Sequence, residues 1–167
     1  MQKSCLLLLK VLTAMNTQRM YVLDTCAIIS YFRDVFKDNK DISKEIRDEI
    51  SNALLPSKYF QSSVKLIVPA MAFIELRDKW CYSDEEREKI RLEVFSRFSD
   101  CENVNICTFE KNIMKRALSL NKYDCSFDNH DKYFIATALE YESPLITSDE
   151  KIQKFRKYSN GKLEIKW

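Results

Sequence analysis

Glycine is almost missing from this chain. One glycine and three prolines occur in 167 residues, which excludes a long flexible linker of the glycine-rich or proline-rich kind. The length suits a single hydrophobic core. A hydrophobic share of 46% and a charged share of 31% are ordinary for a soluble globular protein. We therefore expect one folded domain.

A large excess of charge of one sign is also missing. Lys and Arg number 27 and Asp and Glu 25, which leaves a net charge of +2. This excess is too small to mark a protein that binds nucleic acid through overall basicity. Basic residues do crowd one stretch near the C-terminus, at Lys151, Lys154, Arg156 and Lys157. A phosphate backbone could cross them, although a solvated helix face is the simpler explanation for any single one.

The six cysteines lack the spacing of a metal site. None of them forms a C-x-x-C pair, so neither a zinc site nor a disulfide framework is supported. Cys26 and Cys107 lie in apolar runs, and we expect both to be small buried hydrophobes in the reducing cytoplasm. The single histidine, His130, has no cysteine near it in sequence, which leaves no basis for a Cys–His nucleophile.

A long hydrophobic run is missing as well. The apolar stretch between Cys5 and Leu12 is interrupted by Lys10 and is far shorter than a membrane span. We interpret residues 1–19 as an N-terminal extension ahead of a single domain at 20–167. Either the start codon is assigned too far upstream or the extension is an amphipathic segment packed on the domain. A secretory segment ranks third.

What the chain does have is four acidic residues at the ends of strand-like runs or in the first turns of helices. They are Asp24, Glu75, Asp131 and Asp149. The apolar run 20–23 ends at Asp24 and an apolar helix follows, while the short buried run 144–147 ends just before Asp149. In a parallel sheet such junctions share one edge. We therefore expect four carboxylates from remote segments to meet in one cleft.

Carboxylates crowded in this way repel one another and raise one another's pKa unless a cation neutralises them. Hard oxygen ligands suit Mg²⁺ or Mn²⁺, which keep several waters and bind through few carboxylates and substrate phosphate. An ion held there can activate water and stabilise charge on a phosphoryl group. The pattern predicts hydrolysis of phosphodiester bonds.

The rest of the chain alternates between strand and helix patterns. Strands are predicted at 64–68 and 103–107, and apolar residues at helical spacing between positions 42 and 54 predict an inserted helix. A capping box beginning at Ser83 opens a helix to Phe98, and Thr108 is predicted to cap the helix that follows. Alternation of this kind predicts an α/β fold with a central parallel sheet.

Two of the acidic residues also have a purely structural explanation. Asp131 in the first turn of a helix is favoured by the helix dipole, with Asp128 or Ser126 as the cap. Asp149 could likewise cap the last helix. Capping does not explain why the remaining acids fall at the same edge of the sheet.

The other two acids differ in how well a simpler role accounts for them. Glu75 could pair with Lys79 four residues on, a surface ion pair worth only ~0.3–0.5 kcal/mol. Asp24 has the weakest structural explanation, because Thr25 alone would satisfy the cap of the first helix. We therefore favour a shared site for all four carboxylates.

The acidic segments occur in the order of a PIN domain, and residues 20–167 resemble a VapC-type toxin ribonuclease. Each segment alone is weak, but four in the right order with matching secondary structure are fairly specific. The last two carry most weight, because the spacing of 18 positions from one aspartate to the other leaves room for one helix and one strand. The segments are Val22-Leu23-Asp24-Thr25, Ile74-Glu75-Leu76, the run 131–138 and Leu145-Ile146-Thr147-Ser148-Asp149.

This resemblance implies a Rossmann-like three-layer α/β sandwich with a central parallel sheet of four to five strands. It also implies an Mg²⁺- or Mn²⁺-dependent endoribonuclease that acts on RNA as the toxin of a type II pair, with a small antitoxin protein as partner. Such proteins commonly form homodimers, although no apolar heptad here marks an interface. By motif position Asp24, Asp131 and Asp149 would bind metal directly, and Glu75 would act through water. Supporting roles would fall to Thr25, Asp128, Thr147 and Ser148, and RNA contacts to Lys132, Lys151 and Lys154.

Two positions depart from the family pattern. Cys26 stands where Asn is common, which predicts that a polar contact near Asp24 is absent. The run 69–72 supplies no hydroxyl where Ser or Thr usually precedes the glutamate. These departures motivate an alternative, a PIN-like module that binds RNA or protein without catalysis. A dehalogenase-like phosphatase is weaker, because Cys26 occupies the place of its second aspartate.

Overall fold

The computed structural model describes residues 18–36, 41–55, 62–80, 83–122, 127–155 and 161–167. The predicted N-terminal extension lies outside the described residues except for its last two positions. Ser126, Arg156, Lys157 and the side chain of Lys79 also lie outside them. The site described below is built from the described ranges alone.

Five parallel strands form the centre of the fold. Their order across the sheet is β3-β2-β1-β4-β5, and every neighbouring pair runs parallel. This arrangement confirms the predicted α/β class and the predicted sheet. The short fifth strand lies beyond every strand that the sequence patterns marked. The strands are β1 (Arg19–Leu23), β2 (Val64–Pro69), β3 (Val104–Cys107), β4 (Leu145–Ile146) and β5 (Ile165–Lys166).

Helices connect the strands and cover the sheet. A π-helical segment, Arg91–Phe95, joins α5 to α6, and a 3₁₀ turn, Leu120–Lys122, extends α7. In the described part of the chain, no helix has both the length and the apolar character that crossing a bilayer requires. The helices are α1 (Thr25–Tyr31), α2 (Arg33–Phe36), α3 (Lys44–Ala53), α4 (Ala70–Trp80), α5 (Asp84–Ile90), α6 (Ser96–Ser99), α7 (Lys111–Ser119), α8 (Asn129–Glu140) and α9 (Glu150–Phe155).

The two central strands are buried on both faces. Val22 and Leu23 of β1 and Leu66 and Ile67 of β2 are wholly inaccessible to solvent, as continuous apolar runs of parallel strands require when helices lie on both sides. Helix α8 buries the six consecutive residues 133–138. This burial anchors the start of α8 firmly beside the sheet edge.

Helix ends largely follow the sequence signals. The Ser83 capping box forms, because Ser83 Oγ accepts from the Glu86 backbone N–H at 3.2 Å and Glu86 Oε2 accepts from the Ser83 N–H at 2.9 Å. The predicted cap at Thr108 is wrong. Helix α7 begins after Glu110, which occupies the cap position without a side-chain hydrogen bond. Three residues, 108–110, lie between β3 and α7, so the cap position falls two residues later than predicted.

Candidate functional site

The strand order places a crevice beside β1. Strand β1 lies between β2 and β4, so the chain leaves it towards one side of the sheet and returns on the other. Crevices at the carboxyl ends of strands flanking such a switch point are the usual ligand sites of open α/β sheets. Asp24 directly follows β1, and Asp149 follows β4 by three residues.

All four predicted acidic residues line one cleft of about 450 Å³ at this edge. Asp24 comes from the end of β1, Glu75 from α4, Asp131 from α8 and Asp149 from the turn before α9. Folding thus brings together carboxylates that are widely separated in sequence. The other lining residues are Thr25, Cys26, Ile29, Asp128, Ser148, Glu150 and Lys151.

Asp24 is the most enclosed of these acids, with 6% of its surface exposed. Its Oδ1 accepts from the Thr25 backbone N–H at 2.5 Å, so Asp24 itself, rather than Thr25, caps α1. Its Oδ2 accepts from Thr147 Oγ1 at 2.5 Å. Burial raises the pKa of Asp24 to about 6, and the nearby Glu75 carboxylate pushes in the same direction while the donors oppose it.

Glu75 is buried on the sheet side of α4, with 8% of its surface exposed. Its Oε2 accepts from Thr25 Oγ1 at 2.5 Å. The sequence supplies no hydroxyl just ahead of the glutamate helix, and Thr25 provides one from 50 positions earlier in the chain. The same residue therefore contacts Asp24 through its backbone and Glu75 through its side chain.

Asp131 lies in the first turn of α8, and Asp128 is its capping partner. Asp128 Oδ1 accepts from the backbone N–H of His130 at 2.8 Å and of Asp131 at 2.9 Å. Asp131 Oδ2 accepts from the Asp128 N–H at 3.3 Å, which completes a capping box. Burial, together with the Asp128 and Asp149 carboxylates, raises the pKa of Asp131 to about 6.

Asp149 caps α9 and is tied to Asp24 through a hydroxyl. Its Oδ1 accepts from the Lys151 backbone N–H at 2.7 Å, and its own N–H donates to Thr147 Oγ1 at 3.0 Å. Thr147 in turn donates to Asp24. Capping is thus a genuine role of Asp24, Asp128 and Asp149, and it also orients these carboxylates around one cleft.

Cys26 differs from its predicted role. It is half-buried, and its Sγ lies 3.3 Å from Asp24 Oδ2 and accepts from the Ser148 backbone N–H at 3.2 Å. The expected loss of a polar contact near Asp24 is therefore wrong, because the thiol provides one. Burial, assisted by the Asp24 charge, raises the pKa of Cys26 to about 12. Cys107, by contrast, is buried as predicted.

The three predicted RNA-binding lysines do not form one group. Lys151 lines the cleft. Lys132 and Lys154 are not among the residues that line it. Lys154 Nζ lies 3.9 Å from Oε2 of Glu150, a residue of the cleft lining, in an exposed pair. His130 is partly exposed near the cleft, with Nδ1 3.9 Å from Asp128 Oδ1.

The donor set fits a hard divalent cation that keeps most of its waters. Within the described ranges, no three Asp, Glu, His or Cys side chains converge as a ready-made chelate. Mg²⁺ and Mn²⁺ bind through one or two direct carboxylates and water rather than through a protein cage, and the cleft offers both space and carboxylates. Burial is the main cause of the raised pKa of Asp24 and of Asp131, and the neighbouring carboxylates add to it. A bound cation would offset both effects.

Comparison with known proteins agrees with this architecture. Structures with the same fold include FitAcB from Neisseria gonorrhoeae, at 14% identity and a TM-score of 0.56, with 89% of this chain and 97% of that chain covered. VapBC2 from Rickettsia felis, bound to a DNA fragment from their promoter, matches at 12% identity and a TM-score of 0.57, with 89% of this chain and 98% of that chain covered. VapBC-1 from nontypeable Haemophilus influenzae matches at 22% identity and a TM-score of 0.55, with 88% of this chain and 96% of that chain covered.

Sequence comparison gives a family but no individual relative. No curated protein sequence matches the chain. The family model of the PIN domain matches residues 21–158, a span that contains all four acidic residues of the cleft. This chain belongs to the PIN domain family.

Proposed function

We propose that this protein is a metal-dependent endoribonuclease and the toxin of a toxin–antitoxin pair. The observation that carries the proposal is the convergence of Asp24, Glu75, Asp131 and Asp149 in one cleft at the switch point of the sheet. A structural role does not require this convergence, because helix caps work equally well when they are far apart. Metal-dependent phosphodiester hydrolysis does require it, because the carboxylates must reach one ion.

In this proposal Asp24, Asp131 and Asp149 hold Mg²⁺ or Mn²⁺, and Glu75 acts through water. When bound, such an ion activates water and stabilises negative charge on a phosphoryl group. The protein's own contribution is orientation. Thr147 and Cys26 fix one oxygen of Asp24, and the Thr25 backbone fixes the other, while the Thr25 hydroxyl holds Glu75.

The polar contacts around the acids favour catalysis over the alternative of an inactive binding module. That alternative draws on two departures from the family pattern. The structure gives Asp24 a polar neighbour in Cys26 and gives Glu75 a hydroxyl from Thr25. Both departures are therefore compensated by other side chains, and every carboxylate of the set is present.

The toxin assignment depends on resemblance to VapC-type proteins, and the structural matches include two VapBC structures. A small antitoxin protein would be the partner, and the cytoplasm would be the compartment. Cys26, Cys101 and Cys107 are free thiols, which suits a reducing compartment. Expression of the wild-type protein should arrest growth of a host, and Asp24→Asn should abolish the arrest. Arrest by both forms would contradict a nuclease toxin.

The nuclease activity is tested by incubating the protein with generic RNA, with Mn²⁺ or with a chelator. We expect cleavage with Mn²⁺ only, and a fall of at least about 100-fold in Asp24→Asn and Asp131→Asn, because each loses a carboxylate that would contact the ion. The matched control is Asp84→Asn, which alters a highly exposed first-turn aspartate of α5. Equal cleavage by all four proteins would identify a contaminant and end the enzyme hypothesis.

A further inference from the structure

Cys26 stands between two parts of the cleft that are remote in sequence. It lies in the first turn of α1, directly after Asp24 and Thr25, and the partner of its sulfur, Ser148, is 122 positions away in the turn before α9. Its thiol has three polar neighbours. They are Asp24 Oδ2 at 3.3 Å, Thr147 Oγ1 at 3.4 Å and the Ser148 N–H at 3.2 Å.

Counting protons fixes the direction of each of these hydrogen bonds. Thr147 has one hydroxyl proton, which it donates to Asp24 Oδ2 at 2.5 Å, and its oxygen accepts from the Asp149 N–H. The backbone N–H of Ser148 can only donate, so the Cys26 sulfur is its acceptor. The thiol proton is then left for Asp24 or Thr147, and a carboxylate oxygen is the stronger acceptor. The thiol therefore donates to Asp24 and accepts from Ser148.

We propose that Cys26 is a positioning residue that fixes Asp24 against the turn 147–149, and thereby sets the distance between the Asp24 and Asp149 carboxylates. The inference rests on the proposed function, since its purpose is to orient two carboxylates towards one divalent ion. A side chain at this position must both donate and accept. Cysteine and serine meet that requirement, whereas alanine meets neither part of it.

The functional test compares Cys26→Ala with Cys26→Ser by titrating each protein with Mn²⁺ and following bound ion by electron paramagnetic resonance. Loss of a partner that orients a metal ligand typically costs about 10- to 100-fold in metal affinity. We expect Cys26→Ala to bind Mn²⁺ about tenfold more weakly and Cys26→Ser to recover most of that loss. The matched control is Cys101→Ala, which removes a half-buried thiol that donates to the Leu54 carbonyl at 3.4 Å.

A second measurement reads the hydrogen bond without metal or RNA. The S–H stretching band of Cys26, identified by its loss in Cys26→Ala, should lie at lower frequency than the band lost in Cys101→Ala, because its acceptor is a carboxylate. In Asp24→Asn the Cys26 band should move to higher frequency.

The proposal is overturned if wild type and Cys26→Ala bind Mn²⁺ with equal affinity, or if the Cys26 band does not shift in Asp24→Asn. If the wild type itself fails to bind Mn²⁺ or cleave RNA, the proposed function fails, and the infrared band still decides whether Cys26 holds Asp24. If Cys26→Ala does not fold, Cys26→Ser, which also removes the S–H group, identifies the Cys26 band, and the shift of that band in Asp24→Asn decides whether the thiol donates to Asp24. A serine variant as weak as a folded alanine variant also overturns the proposal.

Discussion

The cleft has two halves that carry similar charge in different surroundings. The inner half, Asp24 and Glu75, is more than nine-tenths buried. The outer half, Asp128, Asp131 and Asp149, lies at the starts of α8 and α9 and is partly open to solvent. Asp24 and Asp131 nevertheless reach the same pKa of about 6. Burial is the main cause of the raised pKa of Asp24. At Asp131 the burial is weaker, and repulsion from the Asp128 and Asp149 carboxylates adds to its effect on the pKa.

The largest expected effect is on the pH dependence of folding stability, which distinguishes the inner half of the cleft from the outer half. A carboxyl pKa raised from 3.8 to about 6 on folding stabilises the folded protein at low pH, and this stability is lost as pH rises through about 6. For fully enclosed Asp24 the loss corresponds to at most about 3 kcal/mol. Urea unfolding of the metal-free protein should therefore show lower stability at pH 8 than at pH 5. Asp24→Asn should remove most of this difference.

Asp131→Asn provides the comparison for that experiment. Because Asp131 is less buried than Asp24, solvent screening reduces its share of the pH dependence, and the variant should flatten the curve less than Asp24→Asn does. Saturating Mn²⁺ at pH 8 should restore stability to the wild type. If Asp24→Asn shows the same dependence of stability on pH as the wild type, enclosure of Asp24 does not control that dependence.

Thr147 joins the two halves, and Thr147→Val should disturb both. The substitution removes the donor to Asp24 Oδ2 and leaves the Asp149 N–H without its hydroxyl acceptor. Unpaired buried polar groups cost about 1–3 kcal/mol each, so we expect a loss of about 2 kcal/mol in the free energy of unfolding. The control is Thr137→Val, another fully buried threonine, whose hydroxyl donates to the Tyr133 carbonyl. Equal losses in the two variants would argue against a special link.

In the outer half, Asp128 combines a cap with a charge, and two variants separate these roles. Asp128→Ala removes the cap of α8 and should cost about 1 kcal/mol of stability. Asp128→Asn keeps a capping oxygen and should cost less. Both remove a neighbouring negative charge, so the Asp131 pKa, followed by carboxyl ¹³C NMR, should fall in both. An Asp131 pKa that falls only in the alanine variant would assign its shift to helix fraying.

The smallest effect concerns RNA affinity. Lys151 lines the cleft, whereas Lys154 faces Glu150 on the surface. Lys151→Ala should weaken RNA binding and reduce the slope of log affinity against log salt by about one, as loss of one phosphate contact does. Lys154→Ala should leave that slope unchanged. Filter binding at several salt concentrations measures both, and equal slopes would place the RNA path elsewhere.

The sequence predicts those parts of the site that depend on local order. Asp24 is recognisable because an apolar strand ends there and an apolar helix begins, and parallel strands end at a common edge. Asp128 and Asp131 are recognisable as a capping pair. Each signal lies within a few residues, where backbone geometry and side-chain chemistry constrain each other directly.

Contacts across the sheet could not be predicted in this way. The hydroxyl for Glu75 comes from Thr25, and the polar role of Cys26 depends on Ser148. A thiol in an apolar run looks like a small hydrophobe until folding brings a distant backbone N–H to it. Strand β5, Ile165–Lys166, is as short as β4 but is only partly buried and contains a lysine, so no continuous apolar run marks it in the sequence.

The position of β1 also has a consequence for synthesis of the protein. Val22, near the start of the domain, pairs with Leu145 on one side, and this partner emerges from the ribosome after most of the chain. A nascent chain that already carries Asp24, Glu75 and Asp131 still lacks Thr147 and Asp149. The cleft is therefore complete only once Asp149 has been translated. Under the proposed function, a fragment truncated ahead of Leu145 should not arrest growth of a host.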